Sequence, residues 1–332
     1  MTSSNVSSYL VRRLLQVPVV LLAIVITNFV LVHLAPGDPA SVMTGEFGFT
    51  GGKPTDYLVQ VREKWGLTRP LYEQLGIYLA NVAHGDLGYS FAFNKPVAQL
   101  ILERIPATLL LVLTSQVVAI LVGTALGTVA ARTYPSRLDQ ALSTVALAFH
   151  SVPVFWTGLM LVLLLAVRAR VFPTSGMLSS STSTTDPFAL QLPDILRHMF
   201  LPTLALVLYL TPVFLRVTRA SVLEVMKEDF MATARAKGLS ETAAFFGHAL
   251  RNALLPTITL AGVLMGSALS GAVLTETVFA WPGVGRLLYE AIGLRDYPLI
   301  MGMLVISSFG VVLASLLTDL AYRRFDPRVT YT

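Results

Sequence analysis

Apolar residues run along this chain in long blocks, with short polar intervals between them. A helix needs about 20 mostly apolar residues to cross the hydrocarbon core of a bilayer. Six stretches qualify: about 14–35, 105–131, 140–167, 199–217, 253–279 and 298–322. The first follows Arg12 and Arg13; its apolar run is too long for a signal-peptide core and no small-residue cleavage site follows, which predicts an uncleaved span. The fourth is the shortest and carries Pro202 and Pro212; with Pro153 in the third, these predict kinked helices, tolerated in membranes where neighbours satisfy the freed carbonyls.

The intervals differ in kind. The one from about 34 to 104 is too long for a mere connector. It holds turn chemistry at Pro36-Gly37-Asp38-Pro39 and Gly51-Gly52, then a polar helical stretch over 55–65, and reads as a small extracytoplasmic subdomain. The Ser/Thr-rich run over 179–185 predicts a flexible loop tip. Between the fourth and fifth blocks, Val222, Met226, Phe230 and Ala234 recur every four positions with Val225 beside them. Glu224, Lys227, Glu228, Arg235 and Lys237 lie mostly elsewhere, so the pattern predicts an amphipathic helix. Gly238 is a helix stop, because glycine tolerates the left-handed backbone there. Ser240 caps a second helix with Glu241 in its first turn, running through Ala243, Phe246 and Leu250 to Pro256. The expected element is a helix–Gly–helix hairpin. It is either a connector lying on the membrane or a docking element; the small residues Ala232, Thr233, Ala234 and Ala236 and the excess length favour docking.

Composition strengthens the membrane reading. Of the 332 residues, 54% are hydrophobic and 13% charged, against about 25% charged in soluble domains, and the mean hydropathy is +0.68. Too few charges remain to coat a water-facing surface. With both termini inside, short inside segments hold Arg12, Arg13, Arg132, Arg137, Arg216, Arg219, Lys227, Arg235, Lys237, Arg251, Arg323, Arg324 and Arg328, which favours an N-in, C-in arrangement. The predicted division is 1–35, N-terminal segment and first span; 36–104, extracytoplasmic subdomain; 105–322, a five-helix core including the cytoplasmic loop 218–252; and 323–332, a cytoplasmic tail.

Several chemistries are excluded. There is no cysteine, hence no disulfide or thiolate site, and the five histidines are scattered without a metal-ligand spacing. No metal, no cofactor and no catalytic residue is expected. The net charge of +5 comes without a basic, aromatic-interleaved module, so no nucleic-acid partner is expected. No Gly-x-x-x-x-Gly-Lys-Ser/Thr occurs, Gly52-Lys53-Pro54 lacking both the spacing and the hydroxyl, so the chain should not bind ATP itself.

Within the blocks, Gly123 and Gly127, and Gly262 and Gly266, form Gly-x-x-x-Gly pairs, and Ser267, Ser270 and Gly271 extend the second. Small residues let membrane helices approach closely. Either packing within the subunit or a subunit interface would use them; the fifth span is the candidate for facing a partner and the substrate path. Glu276 and Asp319 sit near block ends, where they can be solvated or paired, and ionisable residues near lipid are functional candidates. His150, mid-block beside Ser151 and Pro153, reads as a hydrogen-bonded structural histidine rather than a proton relay.

The stretch Asp229-Phe-Met-Ala-Thr-Ala-Arg-Ala-Lys-Gly238-Leu-Ser240, followed by His248-Ala-Leu-Arg-Asn-Ala-Leu-Leu-Pro256, resembles the EAA loop of ABC importer permeases in its peptide-permease form. It departs from the general pattern in having Ala232, Thr233 and Ala234 where that pattern has Glu-Ala-Ala. The gap from glycine to proline is also longer than in sugar permeases. The resemblance extends over nearly the whole chain, to the B-type subunit of dipeptide and oligopeptide permeases. It is carried by Leu34-Ala-Pro-Gly-Asp-Pro39, Gly66-Leu-Thr-Arg-Pro-Leu-Tyr72, Gly85-Asp-Leu-Gly-Tyr-Ser90, Glu103-Arg-Ile-Pro-Ala-Thr108, Glu276-Thr-Val-Phe-Ala-Trp-Pro-Gly-Val-Gly285, Arg295-Asp-Tyr-Pro298 and Asp326-Pro-Arg328.

The resemblance implies an all-α integral membrane fold of six transmembrane helices and a non-catalytic subunit of the cytoplasmic (inner) membrane. It implies pairing with a homologous second permease as a heterodimer, two cytoplasmic ATPase subunits, an extracytoplasmic substrate-binding protein and a peptide substrate. Asp229, Ala232, Thr233, Ala234, Arg235, Lys237, Gly238, Ser240 and Pro256 would form the ATPase-coupling loop. Gly262, Gly266, Ser267, Ser270, Gly271 and Glu276 would lie at the pathway or interface. Related complexes carry nickel chelates or glutathione, which stands as the alternative. A secondary peptide transporter is the alternative from another class, but no inverted repeat and almost no mid-span charge supports it.

Overall fold

The computed structural model describes residues 18–30, 34, 69–90, 92–180, 182, 187–266 and 272–325. The predicted helix over 55–65 and the residues Ser267, Ser270 and Gly271 lie outside them. The chain divides into two compact units, one built from Met1–Pro106 with Arg286–Val312, the other from Ala107–Gly285 with Leu313–Thr330.

In the first unit an apolar helix α1, Pro18–Val30, and α2, Leu71–Ala83, precede a two-stranded hairpin of β1, Tyr89–Ser90, and β2, Lys95–Pro96. Helix α3, Val97–Arg132, begins directly after Pro96. Asp296 holds this unit together. Its side chain is buried, accepts from Ser90 Oγ at 2.5 Å and Ala92 N at 3.2 Å, and caps the last helix through Leu299 N at 3.2 Å. The sequence stretches Gly85–Ser90 and Arg295–Pro298, remote along the chain, therefore meet at one carboxylate.

The second unit is a helical bundle. Ser136 accepts from Asp139 N at 3.2 Å and starts α4, Arg137–Ser151. The predicted third span does not continue straight. Pro153 has no N–H to give and drives Val152 into extended backbone, so α4 stops there. The following helix, α5, Val154–Leu161 with a π-helical continuation Val162–Arg168, leaves at 96°. Pro202 and Pro212 have no such effect. They are buried within α6, Phe188–Val225, which runs through them as one helix.

Helix α6 is the centre of the unit and packs against α4, α5 and α9, Leu250–Gly266. The first glycine pair settles as internal packing: a Cβ on Gly123 would lie 2.8 Å from Thr211 O, and one on Gly127 would lie 2.6 Å from Leu215 O. Only glycine lets α3 and α6 meet this closely. His150 sits against Tyr209, Nδ1 3.2 Å from its carbonyl oxygen and ring stacked at 5.2 Å.

Among the described residues two helices, α3 and α6, are long and apolar enough to cross a membrane, or three if the bent pair is one span. The first and last predicted spans are represented by shorter apolar helices, Pro18–Val30 and Tyr297–Leu313 of α12, Tyr297–Phe325, which follows α11, Val284–Gly293. The fifth is represented by α9, which reaches Gly266 before the described residues stop.

Candidate functional site

Helix α6 ends at Val225, and the three residues Met226–Glu228 form a turn before α7, Asp229–Ala236. This corrects the expectation of one amphipathic helix through Val222, Met226, Phe230 and Ala234. The turn interrupts helical rotation and resets the phase, so Met231 takes the buried place expected for Phe230. Phe230 is 39% exposed and Met231 is 0% exposed.

At the far end of α7 the chain reverses on Gly238, whose φ of +82° lies where an L side chain is strained. Its N–H donates to Arg235 O at 2.9 Å, and Leu239 N reaches Ala234 O at 3.3 Å, capping the orphan carbonyls of α7. Ser240 accepts from Ala243 N at 3.3 Å and opens α8, Glu241–Ala244. A π-helical turn, Phe245–Ala249, then leads into α9. Met231 and Ala234 close against Ala244 and Ala249, with Val225 and Met226 beside them, so the two limbs form one apolar-cored hairpin. Arg235 Nε meets Glu241 Oε1 at 2.9 Å on the surface, a pair that adds at most about 1 kcal/mol.

The outer face is open. Asp229, Ala232, Thr233, Arg235, Ala236, Lys237, Gly238 and Ser240 are exposed, while Ala234 belongs to the hairpin's own core. A Cβ placed on Gly238 would meet nothing within 4 Å. Small side chains and two cations, Arg235 and Lys237, thus lie together on an exposed face. Pro256 lies apart from this face, six residues into α9.

Three ties fix the base of the hairpin. Arg219 of α6 pairs with Asp139 of α4 through two bonds, 2.5 and 2.8 Å. The buried hydroxyls of Thr218 and Thr257 are 3.0 Å apart, joining α6 to α9. Arg132 of α3 donates to Thr242 at 3.2 Å and lies over the rings of Phe245 and Phe246. The apolar periodicity does not announce these ties or the π-turn; a lone Arg or Asp just beyond the end of an apolar block is the signal that points to the two charged ones.

The residues predicted at a pathway are not gathered into one place among the described residues. Gly262 and Gly266 lie on α9, and α3 reaches it through Gln116 Nε2 to Ala261 O at 2.7 Å. Glu276, on α10, Val273–Val278, is wholly buried rather than solvated. It accepts from Thr108 Oγ1 at 2.7 Å, while Val284 N donates to the same hydroxyl at 2.8 Å. Gly283 lies flush against the Glu276 carboxylate, with no room for a Cβ between them. Trp281, also fully buried, donates to Ala107 O at 2.8 Å. Among the described residues no cluster of three or more His, Asp or Glu could hold a metal.

Comparison with known proteins places this architecture. The chain is 36% identical to the dipeptide transport system permease protein DppB of Escherichia coli (strain K12), with 97% of this chain and 98% of that protein covered. It is 36% identical to the oligopeptide transport system permease protein AppB of Bacillus subtilis (strain 168), covering 98% and 100%. It is 37% identical to the di/tripeptide transport system permease protein DppB of Pseudomonas aeruginosa (strain UCBPP-PA14), covering 98% and 99%. In fold it resembles a chain of the inward-facing MetNI methionine ABC transporter, with a TM-score of 0.51 over 69% of this chain and 97% of the other, at 16% identity. Residues 6–112 match the N-terminal family of binding-protein-dependent transport system membrane components. With residues 123–331 matching the family itself, the chain belongs to the binding-protein-dependent transport system inner membrane components.

Proposed function

We propose that this chain is the membrane-embedded permease subunit of an ATP-driven importer of short peptides, working beside a homologous second permease, two cytoplasmic ATPase subunits and an extracytoplasmic binding protein. The peptide substrate follows from relatives named for dipeptides, di- and tripeptides and oligopeptides across nearly their whole length. The chain's own residues supply no phosphate-binding loop, so hydrolysis falls to the separate subunits. With N-in, C-in orientation the hairpin at Gly238 faces the cytoplasm.

The observation that carries the mechanism is the hairpin itself: internally packed, with an exposed face of Asp229, Ala232, Thr233, Arg235, Lys237 and Gly238. Such an element transmits force as a body. An ATPase pair that closes on ATP holds the hairpin differently in its two states, and only that difference can move α6 and α9 between two access states.

The test is Gly238→Asp in the reconstituted complex. Space around Gly238 is open, so the fold bears only the left-handed strain of about 1–2 kcal/mol. A charge, however, enters the docking face. The expected result is loss of complex assembly or of binding-protein-stimulated ATP hydrolysis while the subunit still inserts. Gly238→Ala, with the strain but no charge, separates the two causes. Unchanged assembly, hydrolysis and uptake in the Asp variant would remove the hairpin from the mechanism.

A further inference from the structure

Arg132 is the last residue of α3 and is exposed. An exposed arginine at a helix end needs no protein partner, since its guanidinium is satisfied by water and it favours the C-terminal end of the helix dipole. Here it is held on three sides. Nη2 donates to Thr242 Oγ1 at 3.2 Å. Its guanidinium carbon lies 5.7 Å from the Phe245 ring centroid and 5.3 Å from that of Phe246, within the range of a cation–π contact.

The two rings stand edge to face, 5.1 Å apart at 77°, and belong to the π-helical turn of the second limb. Phe245 is buried with Ala131, Val222 and Ala253, while Phe246 is 49% exposed. The ring that is left open to solvent is therefore the one nearer the cation. A π-turn departs from regular helix and is seldom kept without a use; here it presents two consecutive aromatics to a single cation.

Helix α3 is in turn fastened to the rest of its unit: Gly123 and Gly127 seat it on α6, and Gln116 reaches α9. We propose that Arg132 is a positioning residue for energy coupling. It clasps the second limb of the hairpin to α3, so that displacement of the hairpin carries α3 along with α6 and α9 instead of flexing the limb alone. This rests on the reading of the hairpin as the ATPase-docking element. The plainer alternative, a basic residue that only orients the chain in the membrane, needs the charge and not the plane. Lysine would serve it equally, whereas its point charge has no rigid fork to donate to Thr242 while facing both rings.

The experiment measures peptide taken up per ATP hydrolysed in proteoliposomes holding the complete transporter, with Arg132→Lys, Arg132→Ala and Phe246→Ala. Amounts of assembled complex are measured in parallel. Loss of the clasp lowers the uptake-to-hydrolysis ratio about five-fold or more in both Arg132 variants, and in the same direction in Phe246→Ala. A purely structural role would lower uptake and hydrolysis in proportion, through the amount of complex, and leave the ratio alone. A wild-type ratio in Arg132→Lys overturns the proposal in favour of charge alone, and a wild-type ratio in Arg132→Ala overturns it outright. Failure of both Arg132 variants to assemble also overturns it, since the residue is then required for folding. Gly238→Asp separates the two levels. If it disrupts coupling while the Arg132 variants do not, only the clasp fails; if it too is silent, the docking reading fails.

Discussion

Replacing Arg219 by alanine strands a carboxylate inside the protein, and replacing Asp139 strands a cation that can still reach water. The Asp139 side chain is 4% exposed and that of Arg219 is 26% exposed. Arg219 supplies Asp139 with two bonds, at 2.5 and 2.8 Å, and lies 5.3 Å from the Tyr134 ring centroid. Breaking a buried ion pair costs about 3–5 kcal/mol when it leaves the surviving charge uncompensated. For Arg219→Ala the survivor is the enclosed carboxylate, so the cost should fall near the lower end of that range, about 3 kcal/mol. For Asp139→Ala the guanidinium can turn to solvent and keeps its aromatic contact. Only the charge-assisted hydrogen bonds are lost, about 1.5–2 kcal/mol.

The double variant carries no stranded charge and should be no less stable than Arg219→Ala. That predicts a coupling energy of about 2 kcal/mol, well above the few tenths expected of independent sites. The assay is a double-mutant cycle on the purified complex, with unfolding of this subunit followed in detergent by a reversible denaturant titration. Two results would refute the reasoning. Additive losses would mean that the pair does not tie α4 to α6. A larger loss for Asp139→Ala than for Arg219→Ala would mean that the carboxylate is not the enclosed member.

Other contacts make sharper, smaller claims. Gly127→Ala places a Cβ 2.6 Å from Leu215 O and 2.9 Å from Thr218 Cβ. Since backbone must yield, it should cost about 1–3 kcal/mol, read as a lower melting midpoint; Gly127→Leu at the wild-type midpoint would disprove the close approach of α3 and α6. Thr108→Val keeps the volume but removes both the donor to Glu276 and the acceptor for Val284 N. It should destabilise by about 1–3 kcal/mol through the lost bond to Glu276 and the buried Val284 N–H left without its acceptor, with Thr108→Ser close to wild type in the same melt.

Local chemistry was the part of this protein written plainly along the chain. Gly238 after a basic helical end, and Ser240 with a carboxylate next to it, specify a reversal and a cap through groups within five residues of each other. The structure has both. The phase of the first limb is hidden in the sequence because a short turn without glycine or proline separates α6 from α7, and the four-residue recurrence carries across it by accident. The prolines were ambiguous for a related reason. Proline removes one donor wherever it stands; whether the helix bends or runs on depends on what packs against it. Pro153 lies between α4 and α5 and is exposed, whereas Pro202 and Pro212 are enclosed in α6 by surrounding helices.

The ties between helices were harder to see because the usual sign of an inward face is reversed in lipid. In water, large apolar side chains turn inward; in a bilayer they are equally at home outside, and close packing selects small and polar ones. Helix α3 follows that rule from Ser115 onward, while nearer its start Leu111 and Val112 are buried as well. Thr108, Ser115, Gln116, Ala119, Gly123 and Gly127 are buried along one stripe. Leu102, Val117, Leu121 and Val129 are exposed, the first of them by 67%. Mean hydropathy cannot separate these faces, since both are apolar enough to span. Helical spacing of the small and polar residues does separate them, and it runs from Thr108 to Gly127 toward Arg132. The stripe that packs α3 into the bundle thus ends in the cation that grips the hairpin, which is why a push on that hairpin should be felt along α3 as well as along the two helices to which it is covalently joined.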